Sequence, residues 1–267
     1  MKKLGDIIDT TEKPSTIKTM EKDLADLGIK HGDTVMVHTS LSKIGYIVHG
    51  ATSLLQALIN SVGEIGTLAM ASQTTDNSDP ENWSMPHVPK QWWQIIRDNM
   101  PPYDKYTTPT NLGVIPELFR TYPGTVRSDH PQTSFTARGK NANIIVENHQ
   151  LSPSFGEQSP LGRLYDLGTK ILLIGTDYDT ITALHLSEVG AKRCSVSENA
   201  CAMMIDSKRV WHIYNDYDYD EQDFIKIGQA FEKKYKVTTG KVGQATAKLM
   251  DMKELVDFAQ IQMKNEK

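Results

Sequence analysis

Cysteine is scarce: Cys194 and Cys201 are the only two in 267 residues. Lying close together without partners, they supply neither a disulfide framework nor a zinc knuckle, and they suit a reducing cytoplasm. No stretch approaches the roughly 20 apolar residues of a membrane span, and the opening MKKLGDIIDT lacks a signal-peptide core. Basic charge is not in excess either. A net charge of −4 and a pI near 6.1 argue against nucleic acid, which calls for a basic face. No membrane partner is expected. Internal repeats, low-complexity tracts and long linkers are missing too. What remains, 39% apolar and 23% charged residues, is ordinary for one globular domain over residues 1–267.

The first third alternates helix and strand patterns. Ile17, Met20, Leu24 and Leu27 form a helical stripe that Ser15 or Thr16 can cap, and Gly28 ends it. Thr34 to His38 reads as a strand whose exit, Thr39-Ser40-Leu41-Ser42-Lys43-Ile44-Gly45, is rich in hydroxyls. Such a turn either presents hydroxyls and backbone N–H groups to a ligand or satisfies its own backbone. Residues 51–62 read as a second helix and Thr67 to Ala71 as a second strand. This alternation predicts an α/β fold: a central mixed sheet flanked by helices in three layers.

The stretch Lys170 to Glu188, KILLIGTDYDTITALHLSE, joins a buried strand, Ile171 to Ile174, to a helix that Thr180 or Thr182 can cap. His185 and Glu188 fall three apart on it, so they share a helical face just past the carboxyl end of a strand. Ligands bind at that end of open α/β sheets. A histidine with a carboxylate there is a candidate general base and its orienter. On spacing alone a packed imidazole beside a solvated carboxylate is the commoner case.

Between Ser72 and Pro109 the periodicity stops. Six prolines break the segment, while Trp83, Trp92, Trp93 and Tyr103 give it bulk. An ordered excursion over the carboxyl edge of the sheet is expected, with a short helix near 90–98. Asp76 and Asp79 lie in it as candidates for a cationic ligand. Pro116 places residues 111–120 as a helix only if it sits in the first turn. A strand over 125–137 breaks at His130-Pro131, and Arg127, Ser128, His130 and Ser134 make a candidate anion cluster. Short helices are expected at 141–148 and 160–167. Residues 200–205 and 209–214 flank Asp206-Ser207-Lys208 as a β-hairpin, a small lobe over the site. Its exit carries alternating Asp216, Asp218 and Asp220, which suits a cation. The glycine and glutamate of a calcium-binding EF-hand loop are missing there. The tail, 219–262, reads as mostly helical with a break at 237–242.

These pieces in this order resemble the aminoglycoside 3-N-acetyltransferase family, the type unrelated to GNAT acetyltransferases. The resemblance runs from about Ile17 to Met250. It is carried by His38-Thr39-Ser40-Leu41-Ser42-Lys43-Ile44-Gly45, Gly66-Thr67-Leu68 with Met70, Arg127-Ser128-Asp129-His130-Pro131 with Ser134, Ser159-Pro160-Leu161, Ile171 to Gly175, and Thr182-Ala183-Leu184-His185-Leu186-Ser187-Glu188. The tryptophan-rich piece from Pro80 to Trp93 resembles the Bacillus-type branch.

The resemblance implies transfer of an acetyl group from acetyl-coenzyme A to an amine of an aminoglycoside or related amino-sugar, with no metal. It implies a coenzyme site along His38–Gly45 and the Arg127–Ser134 segment, and His185 as general base with Glu188 or Asp216 as its acidic partner. Donors from the Ser40–Gly45 turn would hold the oxyanion. Thr182, Asp76, Asp79 and Asp218, with Asp216, would meet a cationic acceptor. One departure stands out: many members have Asn-Thr where this chain has Ile181-Thr182. Two other classes are compatible: a coenzyme A-binding protein without transferase activity, and a metal-assisted hydrolase using His185, Glu188 and Asp216.

Overall fold

A computed structural model describes residues 4–265. In chain order the helices are α1 (Leu4–Asp9), α2 (Ile17–Leu27), α3 (Gly50–Val62), α4 (Trp93–Asn99), α5 (Val114–Thr121), α6 (Ala142–Val146), α7 (Pro160–Asp166), α8 (Leu184–Ala191), α9 (Phe224–Glu232) and α10 (Met252–Asn265). The strands are β1 (Thr34–Thr39), β2 (Thr67–Ala71), β3 (Val126–Arg127), β4 (Phe135–Gly139), β5 (Lys170–Ile174), β6 (Val196–Ile205), β7 (Lys208–Tyr217), β8 (Thr238–Val242) and β9 (Ala245–Asp251). Seven of them form one sheet in the order β3-β4-β2-β1-β5-β9-β8, and β6 and β7 pair separately.

The three middle strands are parallel. β1 lies between β2 and β5, with Val37 opposite Leu172 and Thr39 opposite Ile174. Antiparallel neighbours flank them on both sides, so the sheet is mixed. Successive strand residues point to opposite faces, and both faces are buried. Met36, Ala69, Ile171 and Leu173 join a core with α6 to α10. Val35, Val37, Leu68 and Leu172 join another with α2, α3 and α5. Two cores on one sheet give the expected three layers.

Local signals held at several ends. The Thr16 hydroxyl accepts from the Thr19 N–H at the start of α2, and left-handed Gly28 closes it. Pro116 sits in the first turn of α5. At the start of α8 neither Thr180 nor Thr182 caps; Ala183 holds that position, with no side-chain bond. The hairpin is longer than expected, ten residues a side, and turns on Asp206 and Ser207 alone, both at positive φ.

The tail is where pattern reading failed. Residues 238–251 are not a break in helical structure but a hairpin, β8 and β9, that extends the central sheet beside β5. Ala245, Ala247 and Leu249 are buried and alternate with Thr246 and Lys248. That is a period of two, masked because alanine and lysine favour helix. None of the described helices is long and apolar enough to cross a membrane.

The 72–109 excursion is ordered and packs against the separate hairpin. The Tyr103 N–H donates to the Ala202 carbonyl at 2.9 Å, and Asn77 binds both the carbonyl and the N–H of Ala202. Excursion and hairpin together make the small lobe at the carboxyl edge of the parallel strands.

Candidate active site

At that edge the ends of β1, β2 and β5 open into a cavity of about 390 Å3. Its walls include His38 and Thr39 from β1, Thr176 just past β5, and Thr182 and His185 at the start of α8. Asp179 and Glu221 are exposed carboxylates in its lining. A larger groove, about 760 Å3, lies along the outer side of α8 and contains neither histidine.

His185 is held on every side. Its Nδ1 lies 2.6 Å from Glu188 Oε2. A carboxylate only accepts, so Nδ1 carries a proton, and in the neutral ring Nε2 then keeps its lone pair. Nε2 has no hydrogen bond within the described residues, and the ring lines the cavity. Glu188 is 4% exposed, and its other oxygen accepts the Asp220 N–H at 3.1 Å. Phe155 stacks on the imidazole at 4.9 Å and 11°, while Tyr219 and Phe224 meet it at 5.2 and 5.0 Å. Aromatic pairs of this kind add about 0.5–1.5 kcal/mol each. The ring therefore has one orientation.

Asp216 has a different place. It is 4% exposed, and its carboxylate accepts the Ser154 N–H at 3.1 Å rather than meeting His185. The Tyr219 hydroxyl accepts the next N–H, that of Phe155, at 3.1 Å. The two side chains fix the segment that carries Phe155 onto the imidazole. Sequence reading missed Phe155, because nothing in the turn Ser152-Pro153-Ser154-Phe155-Gly156 marks its aromatic ring as a neighbour of α8. As metal ligands, His185, Glu188 and Asp216 do not gather: the first two bond each other and the third is taken by backbone.

The turn after β1 is a short helical turn over Leu41–Lys43. Of the residues expected to form the coenzyme site, His38 and Thr39 line the cavity, whereas Ser40, Leu41, Ser42, Lys43, Ile44 and Gly45 run on beyond it. Gly175, at φ +68°, lets the end of β5 approach this turn; a Cβ there would fall 2.6 Å from the Cβ of Lys43. Three polar atoms along the cavity are buried without a partner among the described residues: His38 Nε2, Thr39 Oγ1 and Thr176 Oγ1. Buried polar atoms are nearly always bonded, so three orphans on one cavity are unusual. Burial also pushes His38 down to about 4, so its ring is neutral near pH 7.

Arg127, Ser128, His130 and Ser134 do not reach this cavity. Arg127 donates from Nε to Ser134 Oγ at 2.9 Å and from its two amino groups to the carbonyls of Ser72 and Thr108. Its guanidinium lies over Tyr103, whose hydroxyl donates to the Ser128 carbonyl. Ser128 Oγ accepts the Phe135 N–H and lies 2.9 Å from His149 Nδ1. His130 Nδ1 accepts the N–H groups of Gln132 and Thr133. Burial lowers His130 to about 4 and His149 to about 3. Every donor of this cluster with a partner here is spent on the fold.

The acidic residues expected to meet the acceptor, Asp216 included, do not line this cavity. Arg97 clamps Asp79 through Nε and Nη2, at 2.9 and 2.7 Å. Asp218 accepts the hydroxyls of Ser195 and Ser197, which hold its carboxyl below the usual range. Asp76 is exposed in the excursion. None of the three lines the cavity, whose carboxylates are Asp179 and Glu221. Thr182 does line it, and Ile181, at the position of the family departure, is fully buried in the core.

A sequence profile described as aminoglycoside 3-N-acetyltransferase matches residues 36–264. The chain belongs to that family. It is 44% identical, over 95% of its length and 94% of the relative's, to the SPbeta prophage-derived aminoglycoside N(3')-acetyltransferase-like protein YokD of Bacillus subtilis (strain 168). The crystal structure of that protein superposes with a TM-score of 0.96 at 43% identity, covering 98% of this chain and 97% of the other. Aminoglycoside N(3)-acetyltransferase VII of Streptomyces paromomycinus is 31% identical over 94% of this chain and 92% of its own. Two structures with ligands are also similar. AAC-VIa bound to sisomicin gives a TM-score of 0.86 at 28% identity, covering 95% and 99% of the two chains. AAC-IIIb binary with CoASH gives 0.83 at 27% identity, covering 95% and 98%. As a member of the family the chain is an acyltransferase, and the sheet and hairpin lobe are the family's architecture.

Proposed function

We propose that this chain moves the acetyl group of acetyl-coenzyme A to an amine of an aminoglycoside or a related cationic amino-sugar, with His185 as the general base. One observation carries the reading: an imidazole fixed by a buried carboxylate, its free Nε2 belonging to a ring that lines the cavity at the carboxyl edge of the sheet. A relative bound to CoASH and another bound to sisomicin support the donor and the acceptor class.

An amine attacks only when unprotonated. His185 Nε2 takes its proton as the nitrogen closes on the thioester carbonyl carbon. Glu188 steadies the imidazolium as it forms and fixes the tautomer that leaves Nε2 free. When the carbon–sulfur bond breaks, the imidazolium returns a proton to the departing thiolate. Products are the acetamide and free coenzyme A, and no charge is left on the protein. His38 and Thr39 place the acyl end of the coenzyme, whose pantetheine arm follows the turn after β1. Asp179 and Glu221 meet the further ammonium groups of the acceptor.

Thiol release from acetyl-coenzyme A, measured across aminoglycosides, simple amines and a neutral sugar, tests the reading. Release that needs an aminoglycoside or amino-sugar supports it. Coenzyme A that raises the melting temperature without any thiol release would instead favour a binding protein of the same fold.

A further inference from the structure

We infer that His38 is a second catalytic residue, a neutral hydrogen-bond donor whose Nε2–H holds the thioester oxygen while that oxygen carries the negative charge of the tetrahedral intermediate. The inference rests on the acetyl-transfer reading above and adds to it a role that the His185–Glu188 pair leaves unfilled.

The two imidazoles of this cavity have opposite surroundings. His185 has a carboxylate on one nitrogen and three aromatic rings around it. Among the described residues His38 has no hydrogen-bond partner, and its Nε2 is buried in the free protein. No carboxylate lies at hydrogen-bond distance to make it basic, and burial keeps it neutral well below pH 7. A neutral imidazole carries one N–H, and as a donor it polarises a carbonyl without first having to lose a proton. Leaving such a group unpaired in the free protein costs free energy. That cost is recovered only when something accepts from it.

Several alternative donors nearby are spent. In the turn that follows, the Ser40 N–H donates to Ile174, that of Lys43 to Ser40 and that of Ile44 to Leu41. The Gly175 N–H on the neighbouring strand donates to Thr246. His38 Nε2 is unpaired among the described residues, as are the hydroxyls of Thr39 and Thr176 along the same cavity. Attack by the amine sends the carbonyl π electrons onto oxygen, where the His38 N–H meets them. Collapse returns the pair to carbon and expels the thiolate, which takes its proton from the His185 imidazolium. His38 neither gains nor loses a proton in the cycle.

Three variants of the full chain, His38→Leu, His38→Gln and His38→Asn, test this by thiol release at saturating acetyl-coenzyme A. Removing one oxyanion donor costs about 100- to 1000-fold in kcat, and that loss is expected of His38→Leu. The pH midpoint of its rate should stay at the wild-type value. Glutamine places an amide N–H where Nε2 stands and should restore kcat to within about tenfold; asparagine is too short and should not. Histidine nitrogen NMR should find His38 as the neutral Nε2–H tautomer from about pH 5 to pH 8. Should His38→Leu fail to fold, the Gln–Asn contrast carries the kinetic test.

The inference is overturned if His38→Leu keeps kcat within about threefold of wild type, if Gln is no better than Asn, or if the proton sits on Nδ1. A wild-type protein that releases no thiol with any acceptor overturns the transferase reading itself. An active wild type with an equally active His38→Leu overturns only the role of His38.

Discussion

Two histidine-bearing regions of this protein use the same residue types in opposite ways. Around the cavity, His185 and His38 stand among threonines and carboxylates with hydrogen-bonding capacity left over. In the segment from Arg127 to Ser134, with His149 behind it, imidazoles, hydroxyls and a guanidinium spend their bonds on one another and on the backbone. The difference teaches that spare capacity in a concave place, rather than polar composition, separates a site from a scaffold. The regions also touch. His149 Nε2 reaches the Ser154 carbonyl at 2.8 Å while Asp216 accepts the Ser154 N–H, and Ser154 precedes the Phe155 that stacks on His185. Through Ser154 and Phe155 the bonded cluster adjoins the cavity.

The contrast breaks most visibly at His185. His185→Ala should cut turnover in a thiol-release assay by about two to four orders of magnitude, with coenzyme affinity nearly unchanged. Glu188→Gln should cost less, since it only orients the ring and stabilises the imidazolium. An alanine variant with near-full turnover would move the base elsewhere.

On the other side, Arg127→Met should act on stability. It strips donors from the buried carbonyl of Ser72 and the half-buried one of Thr108, a loss on the order of 3 kcal/mol in urea unfolding. Unchanged stability together with a raised KM for acetyl-coenzyme A would return this segment to the coenzyme site and undo the contrast.

Acidification should weaken the fold through the same region. His130 and His149 are held at about 4 and about 3 when folded, below the roughly 6.5 of an unfolded chain. The unfolded state thus binds more protons once the pH drops below about 6.5. Stability is full above that pH and declines by up to about 1.4 kcal/mol per pH unit for each histidine, down to its folded value. His38, at about 4, adds in the same direction. Unfolding measured at pH steps checks this, and His130→Gln should flatten the slope; a stability that rose on acidification would contradict the burial of these rings.

The smallest effect is expected at the cavity mouth. Asp179→Asn combined with Glu221→Gln should raise KM several-fold, in the range of about 1 kcal/mol that exposed charge pairs reach, for polycationic acceptors only. Added salt should erase the difference. An equal KM change for a simple monoamine would mean that these carboxylates shape the cavity instead of attracting charge.

What the sequence determined by itself is local or periodic. The buried strands, the capped α2, Pro116 in a first turn and the three-residue spacing of His185 and Glu188 follow from side-chain periods of 3.6 and 2 and from backbone restrictions of single residues. Ordered motifs over two hundred residues added the family. Tertiary structure decided which partners each polar group finds, because those partners lie far away in the chain: Ser72 for Arg127, Asp220 for Glu188, Ser154 for Asp216. It also turned the 238–251 tail into strands, since a free edge of the sheet beside β5 outweighs the helix preference of alanine. The choice of Glu188 over Asp216 as the partner of His185 belongs to the same class. Both carboxylates were visible, but only the packing of α8 against the exit of the hairpin sets which one the imidazole meets.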